Sequence, residues 1–321
     1  MIENYDVNVN STRKVRGAIF YDTEQGPMLL CELKVSTKRL PMLFSLGQEL
    51  EKQGYERMDH LQKTKEDQLF CEDEYGTKYV LKKWFHGKEC DPQKESEIME
   101  AVRNMALLHR SMEETACDKS YKREALDDEY FRHNRELRKV RTFIRNKTMK
   151  GKFELAFLKD FEEMYEWATA SLQYLQESDY KTLLEQSLKN GKMVHGDYNY
   201  HNVLMTNAGV ATTNFEHVYA GIPVTDLYYF LRKIMEKHAW NISLGHKMLE
   251  TYNRILPISS AEMEYIALCI SYPEKFWKLA NSYYRSNKSW ISSKNVEKLE
   301  TAIFQLQLKQ EFLQKIFSFS I

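Results

Sequence analysis

A chain of 321 residues with 43% apolar side chains can bury a full core, as two lobes or as one large domain. Lysine plus arginine and aspartate plus glutamate both number 46, so the formal charge is zero and no global pull toward nucleic acid or a membrane surface follows. Five scattered cysteines (Cys31, Cys71, Cys90, Cys117, Cys269) with no C-x-x-C pair read as reduced thiols, and the lack of an apolar leader or an apolar run of about 18 residues points to a cytoplasmic protein without a transmembrane segment.

In chain order, Gly17 to Tyr21 and Pro27 to Val35 read as two strands joined by a turn at 22–26. No G-x-G-x-x-G pattern accompanies them. Leu40, Leu43, Gly47 and Leu50 form a helical stripe that ends at Gly54. A second hairpin joins Leu69-Phe70-Cys71 to Tyr79-Val80-Leu81, and the chain then crosses through 82–87. Ile98, Val102, Met105 and His109 fall at helical spacing, which makes His109 a hydrogen-bonded core histidine by default. From Glu129 to about Asn190 the pattern is helical, and its first part carries nine Lys/Arg between Phe131 and Lys152 against one acid, Glu136. A solvated helix face or a docking surface for an anionic partner both fit that run.

Residues 193–216 carry most of the declared chemistry. His195-Gly196-Asp197 followed by Asn202 gives H-G-D-x-x-x-x-N, a pattern expected by chance in on the order of one in a thousand chains of this length. Met193-Val194 and Val203-Leu204-Met205 read as strands around the loop, and a turn at 207–209 leads into a third strand, Val210 to Phe215. A phosphotransferase needs a carboxylate to orient the attacking hydroxyl and a nearby side-chain oxygen to hold Mg²⁺ against the nucleotide, roles that suit Asp197 and Asn202. A metal-binding aspartate belongs about a dozen residues on, and that position reads Asn214-Phe215-Glu216. The spacing is right and the charge is missing. In an extended segment 214 and 216 share a face, so Glu216 could approach a metal instead. Beyond it, Thr225-Asp226 opens a helix, Tyr272-Pro273-Glu274 opens another, and Val296, Leu299, Ile303 and Leu306 mark a last long helix.

The loop resembles the aminoglycoside and choline kinase superfamily, with His-Gly-Asp where protein kinases have His-Arg-Asp. Ser36 to Leu40, Trp84 to Glu89, Arg141 to Ile144 and Tyr272 to Trp277 narrow the resemblance to the CotS-type spore-coat kinase-like family. The resemblance implies an α+β, two-lobed kinase-like fold, with a small mixed lobe over 1–88 and a larger helical lobe over 89–321. It makes His195, Asp197 and Asn202 the catalytic set and Asn202, Asn214 and Glu216 the metal positions. Cys31, Trp84, Phe85 and Asn214 become the nucleotide positions, with the lobe hinge at 82–87. Relatives read Leu-Leu-Lys where this chain has Leu29-Leu30-Cys31, so the phosphate-pairing lysine is absent there. Glu49 or Glu51 would be the helix acid, and Asp226 would brace the loop. With Cys31 and Asn214 in place, binding of ATP and Mg²⁺ is expected to be weak or absent. Two readings follow: a pseudokinase acting as an interaction module in spore-coat assembly, and an active phosphotransferase with Asp197 as base. Another coat protein, met through Arg132 to Lys152, is the partner the resemblance suggests.

Overall fold

The computed structural model describes residues 1–15, 17–113, 115, 118–286 and 293–321. The chain opens with β1 (Val9–Val15), β2 (Ala18–Thr23), β3 (Gly26–Glu32), α1 (Leu40–Lys52), β4 (Cys71–Glu72), β5 (Lys78–Lys83), β6 (Lys88–Glu89) and α2 (Glu95–Glu113). Five of these strands form one antiparallel sheet in the order β1-β2-β3-β5-β4. The expected hairpins are there, and β1 joins them unannounced. Its sequence, Val-Asn-Ser-Thr-Arg-Lys-Val, lies exposed along its length and shows no buried alternation.

The period-2 rule of strands divides this sheet into two working faces. Leu30 and Leu81 pair across the β3–β5 ladder and are buried with Tyr5, Tyr21, Met28 and Cys71. Cys31, Val80 and Lys82 take the opposite face, because Cys31 pairs with Val80 and Leu29 with Lys82. Leu40 and Leu43 of α1 line a small cavity on that side together with Val80 and Lys82.

Helices α3 (Leu126–Asn146), α4 (Lys152–Lys159), α5 (Phe161–Glu177) and α6 (Tyr180–Lys189) follow. Short strands then return as β7 (Met193–Val194), β8 (Val203–Thr206), β9 (Gly209–Thr212) and β10 (Tyr219–Ala220). β7 pairs with β10, while β6, β8 and β9 form a three-stranded sheet. The strand expected over Val210 to Phe215 therefore stops at Thr212, and Phe215–His217 is a 3₁₀ turn. The remainder is α7 (Val224–Met235), α8 (Ile242–Asn253), α9 (Ser260–Ser271), α10 (Glu274–Arg285), α11 (Ser293–Phe304) and α12 (Leu306–Phe317). The stripe from Val296 to Leu306 spans two helices rather than one, with a break at Gln305.

Compactness groups the chain otherwise than at residue 88. One unit holds 1–122, 187–230 and 251–257, and the other holds 123–186, 231–250 and 258–321. In the second, stacked rings fill the helix contacts: Phe157 on Phe276 at 5.0 Å, Phe153 on Tyr283 at 4.8 Å and Tyr130 on Tyr272 at 3.9 Å. Cys31, Cys71, Cys90 and Cys269 are free thiols, and Cys117 lies outside the described residues.

Gly47 lets α1 approach the irregular segment 53–70, because a Cβ there would overlap the His60 ring. Helix propensity alone would favour Gly47→Ala by about 1 kcal/mol. The overlap should prevail, with a net loss of about 1–3 kcal/mol in urea unfolding. The double variant Gly47→Ala/His60→Ala should recover part of that loss, and an equal or greater loss would refute the steric account.

Candidate functional site

The loop expected to be catalytic is built around one buried carboxylate. Asp226, in the first turn of α7, accepts the backbone N–H of His195 at 2.6 Å and of Gly196 at 3.0 Å. His109 on α2 meets the same carboxylate through Nε2 at 3.0 Å, and its Nδ1 meets the Tyr252 hydroxyl at 2.7 Å. Burial pushes the Asp226 carboxyl up, but the His109 hydrogen bond and charge outweigh it, holding the group below its ordinary value. His109 is thus a satisfied core histidine that braces the brace. Gly196 takes φ +84°, and a Cβ there would also overlap the His217 carbonyl, so the loop's tight path needs glycine.

His195 is fully buried, and both of its ring nitrogens meet backbone. Nε2 faces the Thr213 carbonyl at 3.1 Å, and Nδ1 accepts the Asp197 N–H at 3.2 Å. Burial holds its pKa below the ordinary imidazole value. A neutral ring in this setting fixes the loop and has no nitrogen left for a reacting proton.

Asp197 is ringed by carboxamides. Its Oδ1 accepts from Asn199 Nδ2 at 2.9 Å, and its Oδ2 accepts from Asn202 Nδ2 at 2.8 Å and from Asn214 Nδ2 at 3.0 Å. Asn202 also donates to the Asp197 carbonyl at 2.8 Å. Asn214 reaches this position from a left-handed backbone, φ 71° and ψ 50°, which asparagine tolerates better than most residues. An aspartate at 214 would set two carboxylates about 3 Å apart, a spacing that forbids both from ionising without a cation between them. The asparagine supplies a donor where that cation would be needed.

The second half of the site centres on Lys82, buried on β5. Its ammonium meets Asp59 Oδ2 at 3.1 Å and makes a closer ion pair with Glu216. Asp59 Oδ2 also accepts the backbone N–H of Asn214 at 2.8 Å, so one carboxylate ties the sheet to the 214–216 segment. Burial acts against charge on all three groups. At Lys82 the two carboxylates override it and raise the pKa well above the ordinary lysine value. At Glu216 the lysine overrides it and lowers the pKa, whereas at Asp59 burial prevails and lifts the carboxyl to about 6. Cys31, on the same face, is pushed up to about 11 by burial and is a neutral thiol at pH 7.

The lysine expected on β3 and missing at Cys31 therefore has a counterpart one strand away. The signal lay in strand parity, since Lys82 shares its face with the buried Val80, but the β3–β5 register was needed to bring it beside Cys31. Asp59 gave no signal at all, because it sits in the irregular segment between α1 and β4. Neither Glu49 nor Glu51 faces Lys82. Glu49 pairs with Lys52 at 2.7 Å, and Glu51 with Lys83 and His60 at 3.5 Å each. Glu216 lies in the 3₁₀ turn and reaches Lys82, so an extended 214–216 segment presenting one face to a metal is not what forms. Trp84 and Phe85 follow β5 half-buried, and the Trp84 N–H donates to the Pro27 carbonyl at 2.8 Å.

These residues do not fit a resident metal as arranged. Asn202 and Asn214 donate through Nδ2 to Asp197 and leave only neutral Oδ1 atoms for an ion, Glu216 is paired with Lys82, and no group of three or more His, Cys, Asp or Glu that could hold an ion occurs among the described residues. Lys82 pairs with Asp59 and Glu216, and among the described residues no ion pair reaches Asp197. Asp59 Oδ1 and Glu216 Oε2 are buried without a hydrogen-bond partner. Both residues line a cavity of about 20 Å³, room for a single water.

A family profile described as spore coat putative kinase YutH matches residues 1–316. The chain is 21% identical over 315 residues to Spore coat protein S of Bacillus subtilis, covering 97% of this chain and 89% of that one. Its fold is similar to the crystal structure of an aminoglycoside phosphotransferase from Alicyclobacillus acidocaldarius, with TM-score 0.87, 16% identity and coverage of 99% and 94%. It is also similar to spectinomycin phosphotransferase APH(9)-Ia in complex with ADP and spectinomycin, with TM-score 0.63, 12% identity and coverage of 96% and 95%. The architecture is thus kinase-like, with a mixed-sheet N-terminal region and a mostly helical remainder.

Asn214→Asp should lower stability at pH 7 by about 1–3 kcal/mol in urea unfolding, because a donor is lost and a like charge gained. The loss should shrink toward pH 4, where the new pair can share a proton. A neutral or stabilising effect at pH 7 would show that Asn214 does not balance Asp197. Asp59, with its carboxyl raised to about 6, contributes stability that is complete below its ordinary value and lost as the pH rises through 6. Asp59→Asn should remove that slope, so the variant gains on the wild type by up to about 2 kcal/mol between pH 4 and 7. Parallel pH profiles would contradict the assignment.

Proposed function

The chain belongs to the spore coat putative kinase YutH family, and from that premise we propose that it works as a pseudokinase, a kinase-shaped interaction module in spore-coat assembly. The observation that carries this reading is the Asn214 carboxamide on Asp197. Phosphoryl transfer depends on cations that neutralise phosphate charge and on a carboxylate free to orient the nucleophile. Here Asp197 accepts three protein amides, and the 214–216 segment is held by Asp59 and Lys82.

The local charge supports the same reading. Triphosphate brought in without a metal would meet the carboxylates of Asp59, Asp197 and Glu216 beside Lys82. Loss of single preorganised electrostatic groups typically costs about 3–4 kcal/mol of barrier. Asn214 forgoes one of them, while Lys82 stands on the Cys31 face in place of the lysine missing there. The protein would be made in the cytoplasm and assembled onto the coat, and no helix among the described residues is long and apolar enough to cross a membrane.

A second reading rests on Lys82. Its ammonium shares a sheet face with Cys31, so an ATP-dependent phosphotransferase with Asp197 as base would find its phosphate-pairing cation there. That reading requires Lys82 to turn a donor toward phosphate while keeping a carboxylate partner, as a kinase lysine does, and Asn214 to release Asp197.

Purified protein heated with ATP and Mg²⁺ at about 1 mM each should melt within about 1 °C of the unliganded protein, since only a ligand that binds the native state raises the midpoint. No phosphate should pass from ATP to water, to the protein or to small aminoalcohols. In a spore-former carrying Asp197→Asn as its sole copy, coat assembly should proceed as in the parent. A Mg²⁺-dependent shift of several degrees, or coat failure with a folded Asp197→Asn protein, would favour the phosphotransferase.

A further inference from the structure

Helix α3 presents a one-signed face. Arg135, Arg138, Lys139 and Arg145 are exposed, and none of them has an ion-pair partner among the described residues. The two neighbouring arginines are occupied: Arg132 pairs with Glu124 at 3.0 Å, and Arg141 pairs closely with Glu162. Phe131 is 53% exposed and Phe143 46% exposed on the same helix, and Phe143 packs edge-on against the exposed Tyr284 of α10 at 5.3 Å.

A solvated helix face ordinarily alternates charge so that i,i+3 and i,i+4 neighbours attract. On α3 the neighbours repel: Arg135 stands three residues from Arg138 and four from Lys139. The helix dipole explains Arg145, in the last turn, and the acids Asp127, Asp128 and Glu129 in the first. It does not explain three cations in the middle. Nor does solubility, because the chain as a whole carries no net charge. A helix that concentrates unpaired like charge at a cost to its own stability is built for a charge supplied from outside.

We propose that this face of α3 is a docking surface for an acidic, partly apolar protein segment. Arg135 to Arg145 spans about 15 Å along the helix axis, the reach of roughly five extended residues. Glutamates or aspartates at that spacing would meet the arginines, and Phe131, one turn before Arg135, and Phe143, just before Arg145, would bury apolar side chains as anchors. The balanced charge of the chain, 46 basic against 46 acidic residues, argues for a protein rather than a nucleic acid, whose binding domains are strongly basic. The surface is independent of the reading of the cleft, because its residues lie in the other compact unit and would serve an active enzyme equally well.

The test is fluorescence anisotropy of the full chain with a short labelled peptide of alternating glutamate and leucine, and with duplex DNA of matched charge. The peptide should bind, and its affinity should fall with rising salt. Arg135→Glu, Arg138→Glu and Arg145→Glu together should weaken it at least about tenfold and flatten the salt dependence. Phe131→Ala with Phe143→Ala should weaken binding while leaving the salt slope in place. Should the reversed variant fail to fold, the glutamine triple at the same positions reads the same effect. Unchanged binding by a folded variant, no binding by the wild type, or DNA held as tightly as the peptide would overturn the proposal.

Discussion

A 3.0 Å hydrogen bond from the Asn214 carboxamide to Asp197 is the contact on which the rest of the site depends. In a kinase-like loop two acidic positions converge, and their proximity is tolerable only with positive charge between them. Replacing one by an amide removes the repulsion and supplies a donor in a single step. The neighbouring groups hold the same carboxylate and loop. Asn199 and Asn202 complete the ring on Asp197, and Asp226 accepts the two backbone N–H groups that start the loop.

The second support works by burial. Lys82 is charged in the interior because Asp59 and Glu216 stand beside it, and removing both would leave its charge uncompensated. Asp59 has a double role, since the same oxygen accepts Lys82 and the Asn214 N–H. The sheet, the irregular segment after α1 and the 214–216 turn are therefore locked by one small network. Its two unpartnered carboxylate oxygens, at Asp59 and Glu216, mark where the network is least satisfied.

Much of this was legible in the sequence. The H-G-D-x-x-x-x-N spacing placed Asp197 and Asn202 together, and Asn214 announced the missing charge by its identity. Asp226 could be anticipated as the loop's brace, and the structure seats it on His195 and Gly196. What could not be read required partners distant in the chain. Lys82 comes beside Cys31 only through the β3–β5 register, and Asp59 lies in a segment with no periodicity to follow. Glu216 was assigned a face by assuming extended backbone, but the left-handed Asn214 turns the chain into a 3₁₀ turn and redirects its carboxylate to Lys82. Strand β1 escaped because its side chains are exposed throughout.

The central claim is that a protein amide does at Asp197 what a cation would otherwise have to do. Nuclear magnetic resonance of the Asn214 side-chain amide tests it most directly, with the resonance assigned by its loss in a substituted protein. The account predicts a carboxamide protected from exchange, with shifts that stay fixed as Mg²⁺ and ATP are added to millimolar levels. Saturable movement of that resonance with Mg²⁺ and ATP, together with loss of its protection, would show that Asn214 yields its place to a metal and would contradict the account.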